Sequence, residues 1–173
     1  TANQISLGQV VVDEKSNEIT AIPQLLKMLE ISGCLVTIDA MGCQVEIAQA
    51  IVDAKADYVL AVKGNQPTLH DGLEWFFMYH DECCYAETSV SRHATRDKKA
   101  RGRQVNRSYV VCPVPDDLPD RKRWPKLKAI GYVVQETLRN GKRCREERYY
   151  ILSKRLSAKR FAAAVRGHWL IEN

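Results

Sequence analysis

The chain has 173 residues, a net charge of +5 and 45% hydrophobic residues, which is the composition of an ordinary globular domain with its own core. No apolar run approaches the roughly 20 residues that cross a membrane, and the N-terminus lacks the basic and apolar regions of a signal peptide. A cytoplasmic protein is therefore expected. The chain starts at Thr1 and stops within a helical pattern, so both ends are expected to be cut ends.

The net charge hides a strong asymmetry along the chain. Residues 1–88 contain 4 Lys/Arg and 13 Asp/Glu, residues 89–148 contain 17 and 7, and residues 149–173 contain 5 and 1. The three net charges are −9, +10 and +4. A second half this basic predicts a surface for a polyanion such as nucleic acid. The alternative is a solvated basic surface without a partner.

The cysteines do not have the spacing of a metal site. No C-x-x-C pair is present, and two of the cysteines are adjacent, which suits zinc poorly. We expect reduced thiols, as in a cytoplasmic protein. The six cysteines are Cys34, Cys43, Cys83, Cys84, Cys112 and Cys144.

Strand and helix patterns alternate in the first half of the chain. Apolar, β-branched runs at residues 5–13, 34–40 and 57–62 predict buried strands. Amphipathic spacing at residues 20–31 and 43–56 predicts the helices between them. This βαβαβ order predicts an α/β fold with parallel strands joined by right-handed crossovers.

The next part of the chain is predicted to be more polar. Apolar residues at helical spacing predict a helix over residues 68–83. Residues 86–107 are polar and basic without apolar periodicity, so an exposed or mobile segment is expected there. A strand is predicted at residues 108–114.

A hairpin and a last helix are predicted to follow. Residues 127–138 and 143–152 resemble two strands, and the Asn-Gly pair between them is a strong hairpin-turn signal. Ser157 is the expected N-cap of a helix that begins near Ala158 and runs to the end of the chain.

Two carboxylates are placed where a catalytic site would form. Asp39 ends an otherwise apolar strand pattern, and active sites of open α/β sheets gather at the carboxyl ends of strands. Glu172 falls on the same helix face as Phe161 and Val165, so it is expected to point toward the protein body, where a carboxylate needs a partner. The alternatives are a turn or capping role for Asp39 and an exposed position for Glu172.

Three polar residues could support these carboxylates. His168 lies one helical turn before Glu172, where it could orient the carboxylate, contact a phosphate or simply pack. Asn65 and Gln66 follow the strand at residues 57–62, so they could reach the same site as Asp39. Ordinary turn chemistry is the alternative for both.

Several stretches together resemble one protein family. They are residues 7–9 (LGQ), 14–23 (EKSNEITAIP), 37–44 (TIDAMGCQ), 57–66 (DYVLAVKGNQ) and 166–173 (RGHWLIEN). In order and spacing they resemble the H-repeat-associated family of bacterial insertion-sequence transposases, within the DDE transposase group. The resemblance covers nearly the whole chain.

The resemblance implies a fold and a division of the chain. The fold would be a partial ribonuclease H-like core with a β-rich insertion. Residues 1–85 would be the first part of the core, residues 86–155 the basic insertion, and residues 156–173 the start of the last catalytic helix.

The resemblance also implies the catalytic residues and the reaction. Asp39 would be the second and Glu172 the third of three acids that bind two Mg²⁺ or Mn²⁺ ions, with the first acid upstream of residue 1. The reaction would be strand cleavage and transfer at transposon ends, with DNA rather than a small molecule as substrate and a homodimer as the working unit. We expect this fragment, with two of three acids, to be inactive. The residues expected to contact DNA phosphates are Arg96, Lys98, Lys99, Arg101, Arg103 and Arg107.

Three other functions remain possible from the residues. A non-catalytic nucleic-acid-binding remnant would bind DNA through residues 89–148, independently of Asp39. A different ribonuclease H-like nuclease, such as a resolvase, would differ in the region before residue 1. A structural remnant would have no affinity for DNA.

Overall fold

The computed structural model describes residues 18–98, 104–139 and 141–168 of the chain. These residues form a mixed α/β fold built on a six-stranded sheet. None of the helices in this part of the chain is both long and apolar enough to cross a membrane. The strand predicted at residues 5–13 lies outside the described residues.

The first elements form a parallel β-α-β unit. Helix α1 (Glu18–Met28) precedes strand β1 (Leu35–Ile38), and helix α2 (Val45–Asp53) connects β1 to strand β2 (Asp57–Val62). The two strands pair in parallel, with Val36 opposite Tyr58 in the register. The predicted helices and strands are confirmed here with shifted ends: α1 begins two residues and ends three residues earlier than predicted, and α2 begins two residues later and ends three residues earlier.

The segment at residues 86–107, expected to be exposed or mobile, contains paired strands in its described part, and many of its side chains there are exposed, Arg92 and Arg96 among them. Helix α3 (Pro67–Glu82) is followed by strand β3 (Ser91–Lys98), which pairs antiparallel with strand β4 (Gln104–Pro113). β3 has polar residues on both of its faces, so its sequence lacks the apolar alternation by which a half-buried strand is recognised. Backbone pairing with β4 supplies the order that the apolar pattern does not predict.

The predicted hairpin is confirmed, and the last helix is confirmed as far as His168; its predicted continuation to the end of the chain lies outside the described residues. A short 3₁₀ helix (Arg121–Arg123) lies in the loop before strand β5 (Ala129–Arg139), which pairs antiparallel with strand β6 (Lys142–Leu152). Helix α4 (Ala158–His168) follows. Its first turn is capped by two serines: the Ala158 amide donates to Ser91 Oγ, and Ser157 Oγ accepts from the Arg160 amide, as the capping prediction requires.

Strand β6 joins the two halves of the sheet. It pairs antiparallel with β2, with Tyr149 opposite Val62, which gives the strand order β1-β2-β6-β5-β4-β3. The strands within the segment 86–155 therefore continue the sheet of the first half. The division of the chain at residues 85 and 155 stays a prediction.

Helices cover both faces of the sheet. Alternating residues of β2 point to opposite sides: Tyr58 and Leu60 pack with α1, α2 and α3, whereas Val59 packs with α4. On the α4 side, the fully buried Phe161 packs over Gly131, whose missing side chain leaves the space for the ring. The result is a three-layer arrangement in which α4 crosses the sheet and reaches β1.

Candidate active site at the carboxyl ends of β1 and β2

Asp39 directly follows β1 and is partly buried. Its Oδ1 accepts a hydrogen bond of 3.2 Å from the Gly42 amide, so the carboxylate shapes the turn that leaves the strand. The turn role considered from the sequence is therefore present. It does not preclude a second role, because an ionised carboxylate offers about four lone-pair sites and this bond uses one of them.

The loop after β1 is fastened by the two residues that follow β2. Asn65 Nδ2 donates to the carbonyl oxygen of Ala40 at 2.6 Å, and Gln66 Nε2 donates to that of Cys43 at 3.0 Å. Asn65 and Gln66 thus lie beside the Asp39 loop, and their part in a shared site with Asp39 stays a prediction. Both side chains bond backbone carbonyl oxygens of this loop, so they help to fix the position of the loop that carries Asp39.

Helix α4 approaches Asp39 from the other side of the sheet. Its buried face presents Phe161 and Val165, and His168 continues that face. His168 Nδ1 lies 3.4 Å from Thr37 Oγ1, two residues before Asp39. The helix face that was predicted to carry Glu172 is therefore directed at the strand that carries Asp39. Glu172 itself lies outside the described residues.

A cavity of about 490 Å³ opens at this edge of the sheet. Asp39, Asn65 and His168 all border it. Three basic residues that the sequence did not point to also line it: Lys63, His70 and Arg148. Arg148 could not be found from the sequence, because its place depends on the pairing of β6 with β2.

The basic residues predicted to contact DNA divide between the two faces of the sheet. Arg96 is opposite Asn106, and Arg107 is opposite Thr95, so the two arginines point to opposite faces. Arg96 is exposed. The Lys98 side chain and all of Lys99, Arg101 and Arg103 lie outside what the structure describes.

Arg107 is held by neighbours on the α4 side. It contacts Asp97 Oδ2 at 2.7 Å and Gln135 Oε1 at 2.8 Å, and its side chain is 19% exposed. Arg166 of α4 lies 3.4 Å from the same Asp97 oxygen. These contacts fix Arg107 within the sheet surface and turn its guanidinium toward protein groups.

Glu147, which lines the cavity, and Cys43, in the loop after Asp39, both have displaced pKa values. Burial acts to raise the pKa of the Glu147 carboxyl, but hydrogen bonds from Arg145, Tyr132 and Tyr149 lower it, and the net pKa lies below its ordinary value. Burial raises the pKa of the Cys43 thiol to about 12. Cys43 is therefore a protonated packing residue at neutral pH, and all six cysteines are free thiols.

One surface cluster also has the composition of a metal site. His70, Asp71 and Glu74 bring ligand atoms within 4.8 Å of one another on α3. The Asp71 and Glu74 side chains are 79% and 57% exposed. Exposed groups of this kind form ordinary surface ion pairs on helices, and Asp71 and Glu74, unlike His70, do not line the cavity.

Comparison with known proteins identifies the family. The sequence model of the family described as Transposase DDE domain matches residues 1–173. The Escherichia coli O157:H7 protein YncI, whose name describes it as a candidate transposase, is 43% identical over 175 residues, which are 99% of this chain and 44% of the relative. YhhI of Escherichia coli K12, named as a candidate H repeat-associated transposase, is 40% identical over 185 residues, covering 100% of this chain and 46% of the relative.

A third relative is the Escherichia coli K12 protein YbfL, which is 41% identical over 180 residues, 100% of this chain and 46% of the relative. The chain thus spans slightly less than half the length of these curated relatives. The resemblance inferred from the sequence motifs is confirmed: the chain belongs to the DDE transposase family and is similar to its H repeat-associated members.

Proposed function

We propose that the chain is part of a transposase catalytic domain with a ribonuclease H-like core, which cleaves and transfers DNA strands with divalent cations. One observation carries the proposal. Asp39 lies at the carboxyl edge of the parallel pair β1-β2, in a cavity to which α4 also contributes through His168. Two elements far apart in sequence converge there, as an active site at strand ends requires.

The Asp39 carboxylate is a suitable ligand for a hard cation. Mg²⁺ and Mn²⁺ favour carboxylate oxygen, and the bond from Gly42 fixes the direction of the Asp39 carboxylate. Glu172 follows His168 by four residues, which on a helix is the same face one turn later. Asp39 and Glu172 would hold the cations. Bound cations of this kind activate the attacking hydroxyl and stabilise the leaving oxygen in phosphoryl transfer.

The chain's own residues would prepare this site. Asn65 and Gln66 hold the loop that carries Asp39, and His168 ties α4 to β1 through Thr37. DNA is the proposed partner because the segment 89–148 has a net charge of +10. The 173-residue polypeptide supplies two of the three acids that the family resemblance implies, so we propose that it does not cut DNA by itself.

Metal binding tests the proposal without requiring activity. We expect the 173-residue protein to bind Mn²⁺, measured by the electron paramagnetic resonance signal of the free ion. Asp39→Asn keeps an acceptor for the Gly42 amide but removes the charge, and it should weaken Mn²⁺ binding by at least about tenfold. Glu172→Gln should act in the same direction.

Glu74→Gln is the matched control. It removes one carboxylate from the surface cluster of His70, Asp71 and Glu74, and it should leave Mn²⁺ binding unchanged. Loss of binding in Glu74→Gln with none in Asp39→Asn would place the ion on α3 and contradict the proposal. DNA binding without any Mn²⁺ binding would favour the non-catalytic nucleic-acid-binding remnant instead.

A further inference from the structure

Arg148 lies beside the proposed metal site although it belongs to a distant part of the chain. Tyr149 of β6 is opposite Val62, the last residue of β2. Arg148 therefore lies level with Lys63, just beyond the carboxyl end of β2. Asp39 follows the carboxyl end of the neighbouring strand β1, and all three residues line the same cavity.

The guanidinium of Arg148 is oriented by a neighbour on its own strand. Arg148 Nη2 donates to Glu146 Oε2 at 2.8 Å, on the α4 side of the sheet. Glu146 also accepts a hydrogen bond of 3.4 Å from Gln135 Nε2. The Arg148 side chain is 29% exposed, so it is partly buried yet reachable from the cavity.

A polar row extends this support across the sheet. Glu146 is opposite Gln135, and Gln135 is opposite Arg107 in the strand register. Arg107 bonds both Gln135 and Asp97, which links β6, β5, β4 and β3 through side chains. Directly opposite residues lie close enough to interact, so each member limits the movement of the next. The row ends at Arg148, on the cavity.

We propose that Arg148 binds a non-bridging phosphate oxygen of the DNA strand in this cavity, and that the row behind it sets its position. The inference rests on the proposed function. A guanidinium has five N–H donors in a planar fork that matches phosphate geometry, and the partly exposed Arg148 side chain lines the cavity that Asp39 also borders. Arg107 is then a positioning residue rather than a DNA contact.

The test is fluorescence anisotropy with a labelled DNA duplex of mixed sequence, titrated with the 173-residue protein over a series of salt concentrations. Arg148→Ala should weaken binding about tenfold and reduce the slope of log Kd against log salt by about one. Arg143→Ala is the matched control: it removes the same charge from the same strand, on the opposite face and outside the cavity. Its effect should be clearly smaller.

Two more variants separate position from charge. Arg148→Lys keeps the charge but not the fork, and it should restore the salt slope while recovering only part of the affinity. Glu146→Ala removes a negative charge, so an effect of charge alone would tighten DNA binding. Loss of the contact that orients Arg148 would weaken DNA binding instead. We expect the weaker binding.

The outcomes distinguish this inference from the proposed function. Equal losses in Arg148→Ala and Arg143→Ala, or tighter binding in Glu146→Ala, would overturn the role of Arg148 and its row while DNA remained the partner. Absence of DNA binding by the unaltered protein at low salt would overturn both.

Discussion

At the scale of single residues, Asp57 joins the two halves of the sheet through its side chain. Its carboxylate accepts a hydrogen bond of 2.9 Å from Ser153 Oγ of the segment after β6, and Ser153 Oγ in turn accepts from the Tyr58 amide. Lys126 lies 2.9 Å and Lys154 3.5 Å from the carboxylate, which is 15% exposed. A partly buried carboxylate with this many donors is stabilised in its charged form.

The pKa of Asp57 follows from these contacts. Burial acts to raise it, but the hydrogen bonds from Lys126 and Ser153 and the charges of Lys126 and Lys154 lower it below its ordinary value. Because the folded-state pKa is depressed, the carboxylate stabilises the fold at any pH above the unfolded-state pKa. That stabilisation is lost as the pH falls through the folded-state pKa.

Asp57→Asn should therefore lower the free energy of unfolding by about 1–3 kcal/mol at neutral pH, the usual cost of losing a hydrogen-bonded charged group. The difference from the unaltered protein should shrink as the pH falls below about 4. Urea unfolding at several pH values measures both effects. Asp53→Asn, at the exposed end of α2, is the control and should change stability by less than about 0.5 kcal/mol. A constant difference down to the lowest pH would contradict the assigned pKa.

At the scale of elements, the docking of α4 depends on one glycine. A side chain at Gly131 of β5 would place its Cβ 2.7 Å from Phe161 Cζ and 3.2 Å from Leu152 Cδ1. Phe161 and Leu152 are both fully buried, so neither has room to retreat. Since α4 also carries His168 toward β1, this contact positions the candidate site as well as the core.

Gly131→Ala should destabilise the protein by about 1–3 kcal/mol, as overpacking of a close-packed core does. It should also weaken Mn²⁺ binding, because a displaced α4 carries His168 away from Thr37. Thermal unfolding and the Mn²⁺ titration measure the two effects. Gly64→Ala is the control for stability, because nothing lies within 4 Å of a Cβ added there. Equal stability of the two variants would contradict the predicted overpacking, because it would show that the sheet and α4 accommodate a methyl group at Gly131.

The elements differ in how well they could be predicted from the sequence. The parallel pair β1-β2, the β5-β6 hairpin and α4 follow from apolar periodicity, a turn signal and a serine cap. These are local properties of the sequence. They also predict where the candidate site residues lie relative to their strands and helix, namely Asp39, Asn65, Gln66 and His168. β3 and the place of Arg148 depend on which strands pair. That is a long-range property, and an apolar pattern does not encode it when the strand is polar on both faces.

At the scale of the whole molecule, the two outer strands of the sheet differ in character. β1, with the sequence LVTI, carries no charge, and Leu35 is 37% exposed. β3 carries the charged residues Arg92, Arg96, Asp97 and Lys98. Within the described residues each has a strand neighbour on one side only. Charged side chains on an outer strand disfavour its pairing with a strand of another molecule, whereas an outer strand with apolar side chains can form such a pair.

We therefore predict that the protein dimerises through β1. Sedimentation velocity over a range of protein concentrations should show a monomer–dimer equilibrium. Leu35→Lys places a charge on this strand and should shift the equilibrium toward the monomer, whereas Ala94→Lys adds the same charge to β3 and should not. A monomer at every concentration, or equal behaviour of the two variants, would rule out association through β1.

The pairing of β5 with β6 restricts how this hairpin can change in length. Tyr149–Leu152 are buried and anchored between β2 and β5, and successive strand residues point to opposite faces. Loss of one residue at Glu147 would turn Glu146 to the other face, away from Arg148 and Gln135. Loss of two residues would keep the faces of the remaining strand unchanged. Insertions and deletions that this hairpin tolerates should therefore come in even numbers, or fall within its turn.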